Sequence, residues 1–335
     1  MVGGTAPHRP AGVYTSIDTL CGVDKLARNR TPMTRLARFA WTVLGWNVAV
    51  ILWGAFVRAT GSGAGCGAHW PLCNGEVVPL APAIETRIEF MHRLTSGLAL
   101  LMVLALASWV FRARPRGHPA RAAAAASLAF ILTEAAVGAG LVLFRLVAEN
   151  ESVARALVMA AHLVNTFLLL AALALTAHWC AIDSALRRQA RDAWVFGLGA
   201  LVLLLVGTSG AVAALGDTLY PARSLFGALA EDLSPTAHVL VRLRLAHPLF
   251  ALAGTLAVAL AGGRVLRSTP DPGTRRVAWA LGALTLLQVG AGLVNVALLA
   301  PVWMQILHLL LADLVWIAFV LVAARTLAPA HALNR

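Results

Sequence analysis

Eight apolar stretches, at residues 39–57, 89–111, 122–144, 157–180, 193–215, 240–263, 277–299 and 303–324, dominate the 335-residue chain, each bounded by Arg, Pro or Gly clusters. About 20 consecutive apolar residues make a helix long enough to cross the roughly 30 Å hydrocarbon core of a bilayer. Within that core only helices and closed barrels satisfy every backbone N–H and C=O. The pattern therefore predicts an all-α membrane protein with eight transmembrane helices. Composition agrees, since 59% of residues are apolar and 13% charged, against roughly 45–50% and about 25% in soluble domains. The net charge of +12 then reads as an orientation signal, with membrane lipid and no nucleic acid as partner.

The charges assign the sides. Nineteen of the 27 Lys and Arg residues fall in the N-terminal segment, the 112–121, 187–191 and 264–276 loops and the C-terminus. Seven lie in the other four loops (Arg58, Arg87, Arg145, Arg155, Arg223, Arg242, Arg244), and Arg93 lies within a span. By the positive-inside rule both termini are cytoplasmic. Residues 1–38 lack apolar periodicity and are expected to be a disordered tail; residues 1–32 read as dispensable, with Met33 heading a compact MTRLARFAW. The first span lacks a small-residue cleavage site and reads as an uncleaved anchor.

An internal repeat divides the rest. VGAGLV occurs at 137–142 and again at 289–294, and TGSG at 60–63 has a weaker counterpart, GTSG, at 207–210. Two pseudo-symmetric four-helix bundles follow, related by an axis along the membrane normal. The expected layout is a 39–180 bundle, a cytoplasmic linker at 181–192, a 193–325 bundle and a 326–335 tail.

Ten histidines occur, and His92, His162, His247 and His308 each lie near the start of an even-numbered span. Even spans begin on the outer side, so all four imidazoles share one level, and the repeat matches His92 with His247 and His162 with His308. Neutral imidazole ligates iron, and a pair from facing helices of one bundle is what a bis-imidazole heme site requires. A single membrane histidine ordinarily bridges helices by hydrogen bonds; four at matched depth and repeat position favour ligation. Zinc or di-iron centres fit less well, because neither pair has carboxylate or thiolate company. His8 and His331 are terminal, His118, His178 and His238 lie in or beside loops, and His69 belongs to the first outer loop.

The halves differ. Glu89 stands one helical turn before His92, where the second half has Arg244 before His247. A carboxylate beside one porphyrin can move protons or stabilise a developing cation, and a guanidinium beside the other can neutralise a propionate. An i,i+4 ion pair with Arg93 is the alternative for Glu89. Cys66 and Cys73 lie in GCGAHWPLC on the oxidising side, where a short-loop disulfide is chemically sensible and a pair of free thiols is the alternative. Cys21 is incidental and Cys180 a packing residue. Glu134, Asn165, Asn295 and Asp313 are polar groups inside spans; Glu134, expected deeper than the histidines, is a helix bridge or part of a proton path. Arg58, Arg93, Arg242 and Arg244 are candidate propionate partners, with interfacial anchoring as the rival.

GAFVRATGSGAGCGAHWPLCNG at 54–75, IEFMHR at 88–93, AAHLVNTFLLLAALAL at 160–175 and LGDTLYPA at 215–222, together with the His247 and His308 spans, resemble the heme A synthase family over about residues 39–325. The resemblance implies an oxidoreductase of the cell membrane, active on its extracytoplasmic face, that oxidises the C8 methyl of heme O to a formyl group. It implies a heme b cofactor ligated by His247 and His308, a substrate site of His92, His162 and the catalytic Glu89, and a family match for the Cys66 and Cys73 pair. The implied partners are a heme O synthase (protoheme farnesyltransferase) upstream and terminal oxidase assembly downstream; a homo-oligomer stays open. Pro248 after His247, where Arg93 follows His92, departs from strict equivalence. A bis-histidine diheme cytochrome b carrying electrons to or from quinone is the alternative, sharing the histidines but needing neither Glu89 nor the cysteines. A transporter would explain the repeat but not the matched histidines.

Overall fold

The computed structural model describes residues 33–182, 192–269 and 271–327. Residues 1–32, residues 183–191 of the expected linker and residues 328–335 lie outside the described residues, and with them Cys21, His8 and His331. Met1–Thr34 and Arg35–Arg335 are separate units, and the second carries all that follows.

Among the described residues, eight helical segments are long and apolar enough to cross a membrane. They are α1 (Arg35–Ala59), α2 (Ile84–Ala113), α3 (Pro119–Leu143), α4 (Val153–Cys180), α5 (Ala193–Leu219), the Val239–Ser268 segment, α9 (Pro272–Ala297) and α10 (Val302–Leu327). Each expected apolar stretch falls on one of them. The helices outrun the stretches because Arg, Glu and Thr can stay helical through the headgroup zone while their polar ends reach water. For this reason residues 35–38, expected in the disordered tail, open α1 instead.

Local chemistry sets several helix starts. The Ser152 hydroxyl accepts the Arg155 amide at the start of α4, and His118 caps α3 with Pro119 in its first turn. The sixth span is interrupted. It comprises α7 (Val239–Arg242), a 3₁₀ turn (Leu243–Leu245) and α8 (Ala246–Ser268). Pro248 has no N–H to give the Arg244 carbonyl and its ring crowds that group, which accounts for the tightened turn before it. A further helix, α6 (Leu225–Leu233), lies between the fifth and sixth spans.

In the first group α1 packs on α2 and α4, α2 on α3, and α3 on α4; in the second α5 packs on α8, α8 on α9, and α9 on α10, with α10 returning to α5. The groups meet where α4 packs on α5 and α10. There Trp316 Nε1 donates to the Phe167 carbonyl at 2.6 Å, with the two rings stacked 5.4 Å apart. Small residues such as Ala40, Ala99, Ala124, Ala177 and Ala261 fill the helix contacts, while Leu101, Leu252, Leu260, Leu286 and Leu293 point outward. That inversion suits lipid, where close backbone approach replaces the hydrophobic effect as the packing force.

Candidate functional site

His247 and His308 face each other. Their ring centres are 6.3 Å apart and the ring planes perpendicular. Two metal–nitrogen bonds of about 2.0–2.1 Å, plus roughly 1 Å from each ring centre to its nitrogen, span about this distance, so the pair fits a bis-imidazole iron site. The ring orientation is built in. Ser209 Oγ donates to the Val206 carbonyl at 2.9 Å and lies 3.2 Å from His247 Nδ1, so it is placed to accept the Nδ1 proton. That tautomer leaves the Nε2 lone pair for a metal. At His308 the Gln288 side-chain amide lies 3.3 Å from Nε2.

Glycines make room for the rings. A Cβ at Gly210 would come within 3.0 Å of His247 Cε1, one at Gly292 within 3.0 Å of His308 Cε1, and one at Gly54 within 2.9 Å of His92 Cε1. These contacts correct the expected repeat register. GTSG lies inside α5 with its last residue against His247, whereas TGSG lies beyond the end of α1, in a turn and a short 3₁₀ helix. Gly54, not the TGSG segment, is the first-half neighbour of the corresponding histidine. VGAGLV also packs differently in its two copies: Gly292 abuts His308, but Gly140 abuts the Phe144 ring.

In the first group His92 lies on α2 and His162 on α4. Among the described residues no three or more His, Cys, Asp or Glu side chains gather as a metal-ion cluster. Glu89, one turn before His92, is 3% exposed. Its Oε1 accepts Arg93 Nη2 at 2.5 Å and Nε at 3.2 Å, and its Oε2 accepts the Cys66 amide at 2.8 Å. The Arg93 ion pair weighed from spacing is thus present, and the carboxylate also holds the first outer loop.

That loop is closely built. Cys66 and Cys73 are bonded, with Cα atoms 4.4 Å apart, and both are buried. Asn74 and Gly75, at φ 54° and 85°, turn the chain so that Cys73 and Glu76 exchange two backbone hydrogen bonds, as Asn-Gly turns do. Gly65 admits the start of α2: a Cβ there would sit 2.5 Å from the Glu85 carbonyl, and the Thr86 hydroxyl donates to the Gly65 carbonyl at 2.7 Å. Arg93 Nη1 donates to the His69 and Leu72 carbonyls at 2.7 and 2.6 Å.

The other arginines are engaged differently from one another. Arg58 Nη1 donates to the Ala214 carbonyl and Thr218 hydroxyl, and its Nη2 to Gln305 Oε1 at 2.9 Å, which ties α1 to α5 and α10. Arg244 is buried; it donates to the Gly216 and Tyr220 carbonyls and pairs with Asp217 at 3.4 Å and Asp232 at 3.7 Å. Burial pushes the Asp232 carboxyl up and Arg244 opposes this. Arg242 is exposed. A propionate would therefore compete with protein acceptors for Arg58, Arg93 and Arg244 but not in the same way for Arg242.

Glu134 is not deeper than the histidines, as expected from sequence, but level with His162: its Oε1 lies 3.5 Å from His162 Nδ1. The turn joining α3 to α4 is short, so residues equally far from it on the two helices meet. Asn165 takes part in the same contact. Asp313 is fully buried, with neither carboxyl oxygen hydrogen-bonded. Ser209, Gln288, Thr218 and Gln305 carry site contacts that the sequence does not single out. Ser209 lies within GTSG and Thr218 within LGDTLYPA, and Gln288 directly precedes VGAGLV.

Fold and site together define a multi-pass membrane protein in which His247 and His308 face each other in one helix group and Glu89 is clamped by a disulfide-bonded loop in the other. The sequence profile of the cytochrome oxidase assembly protein family (COX15-CtaA) matches residues 37–320, and the chain belongs to that family. It is 57% identical over 301 residues to a protein of Thermus thermophilus named protoheme IX farnesyltransferase, a match covering 89% of this chain and 50% of that one. It is also 48% identical over 95 residues to a heme A synthase of Alkalihalophilus pseudofirmus, covering 28% of this chain and 32% of that one. A heme A synthase of Halalkalibacterium halodurans is 47% identical over 97 residues, covering 29% and 33%. The chain thus spans about half the length of the Thermus relative that it matches along most of its own.

Proposed function

We propose that the chain is a heme A synthase of the cell membrane, oxidising the C8 methyl of heme O to a formyl group at an outward-facing site in the first bundle. Both termini are cytoplasmic and the two four-helix bundles pseudo-symmetric in this reading. His92 and His162 hold the substrate porphyrin through its iron; His247 and His308 hold a resident heme b, which supplies a one-electron carrier when bound. Methyl plus water gives the alcohol with loss of two electrons and two protons. A second such oxidation gives the geminal diol, which loses water to leave the aldehyde. Glu89 accepts a proton at the reacting carbon's side of the ring or stabilises cationic character there, and the disulfide loop covers it.

The observation that carries this reading is the hydrogen bond from the Cys66 amide to Glu89, one turn from His92. An electron-carrying diheme cytochrome b needs neither the carboxylate nor a bonded loop clamped on it. Family membership and the names of the Alkalihalophilus and Halalkalibacterium relatives support the same activity. The Thermus relative is named for farnesyl transfer, but this chain covers half of it, and this chain itself matches the cytochrome oxidase assembly family. That name supports a heme O-producing farnesyltransferase acting beside this chain, with terminal oxidase assembly downstream. Co-expression with a heme O source followed by pigment extraction tests the proposal: a formyl porphyrin is expected, and heme O alone, with the protein present and heme-loaded, would leave the cytochrome reading.

A further inference from the structure

The first group of helices contains a second carboxylate, and it lies beside a histidine. We infer that Glu134 is a positioning residue for His162, taking up the Nδ1 proton of the imidazole, aiming Nε2 at the substrate iron and making that nitrogen a stronger electron donor than its counterpart on His308. The inference rests on the reading of the first bundle as a porphyrin site.

Three observations carry it. Glu134 Oε1 faces His162 Nδ1 at 3.5 Å, and that nitrogen is buried with no hydrogen-bond partner. A buried unpaired donor costs about 1–3 kcal/mol, and a small rotation of the ring toward the carboxylate removes the cost. The carboxylate is itself held: Thr166 Oγ1 donates to Oε1 at 2.6 Å and Asn165 Nδ2 to Oε2 at 2.5 Å. Asn165 is fixed in turn, donating to the Phe130 carbonyl and accepting from Thr133. Joining α3 to α4 is already achieved by the Asn165 bond to Phe130, so a mere bridge does not require an acid. Finally, in the second half His308 Nδ1 is without a hydrogen-bond partner, and the side chains beside the two rings, Gln288 at His308 and Ser209 at His247, are neutral. A carboxylate behind a ligating imidazole fixes its tautomer and raises its basicity, which favours the oxidised metal.

The test uses the full chain in detergent with its resident heme, titrated with ferric protoporphyrin IX. Affinity, the low-spin electron paramagnetic resonance signal and the midpoint potential are read for each site. In Glu134→Gln the first site should bind about 10- to 100-fold more weakly and its potential should rise, with the second-site signal unmoved. Thr166→Val, which keeps the carboxylate but removes one anchor, should shift the first site less and in the same direction. A Glu134→Gln protein with wild-type affinity and potential at the first site overturns the inference, as does an equal shift at both sites. Should Glu134→Gln not fold, an unshifted first site in Thr166→Val overturns it. If wild-type protein takes up no second porphyrin, the porphyrin-site reading itself fails.

Discussion

Glu89 concentrates the account at the scale of single residues. A carboxylate that is 3% exposed is tolerable in this setting because one guanidinium and one backbone amide satisfy it. Its two oxygens have different neighbours: Oε1 belongs to Arg93 and Oε2 to the Cys66 amide. Removing one member of a buried ion pair costs about 3–5 kcal/mol, so Glu89→Ala would mix structural damage with any chemical effect. Glu89→Gln keeps the shape and one acceptor for Cys66, and separates the two. With a proton-transfer role worth roughly 10²- to 10⁴-fold, Glu89→Gln should lower formyl product by at least about 100-fold while bound heme per protein stays at the wild-type level. Parallel loss of heme and product in that variant would mark Glu89 as structural.

At the scale of elements, the caps and breaks make predictions independent of the heme chemistry. Asp271 opens α9: its carboxylate accepts the Gly273 and Thr274 amides and the Thr274 hydroxyl. The Thr274 side chain, more than any other group, holds its carboxyl below the usual carboxylate range. A group whose folded pKa is depressed stabilises fully above its unfolded value and loses that contribution as pH falls through the folded one. Asp271→Ala should therefore cost about 1 kcal/mol at neutral pH, read by thermal unfolding in detergent, and the gap from wild type should close as the medium is acidified below about pH 4. The spans themselves were legible because lipid demands a long apolar run, which few other structures produce. The break at Leu243–Leu245 follows from Pro248, and α6, with nine residues, is too short for periodicity to announce. The four histidines and the cysteine pair stood out as patterns along the chain. Ser209 and Gln288, and the level of Glu134, depend on which helix faces turn inward, and that is set by packing between helices rather than by any local signal.

At the scale of the whole molecule the two helix groups are alike in plan and unlike in chemistry. Each places histidines near the start of its even-numbered spans, with His92 and His247 against glycines. The first adds two carboxylates and a bonded loop; the second adds a buried arginine with two aspartates. Arg58 crosses between the groups to α5 and α10, and Trp316 reaches back to α4, so the two groups are tied to each other at both places. Such an arrangement suits the proposed function, in which one porphyrin is altered and one stays. The most direct test is mass spectrometry of the porphyrins released from purified protein, loaded with heme O and given an electron acceptor under anaerobic conditions. The account predicts a species heavier than heme O by one oxygen, followed by one with that oxygen and two fewer hydrogens. Recovery of unchanged heme O from protein that holds both porphyrins and passes electrons would contradict it.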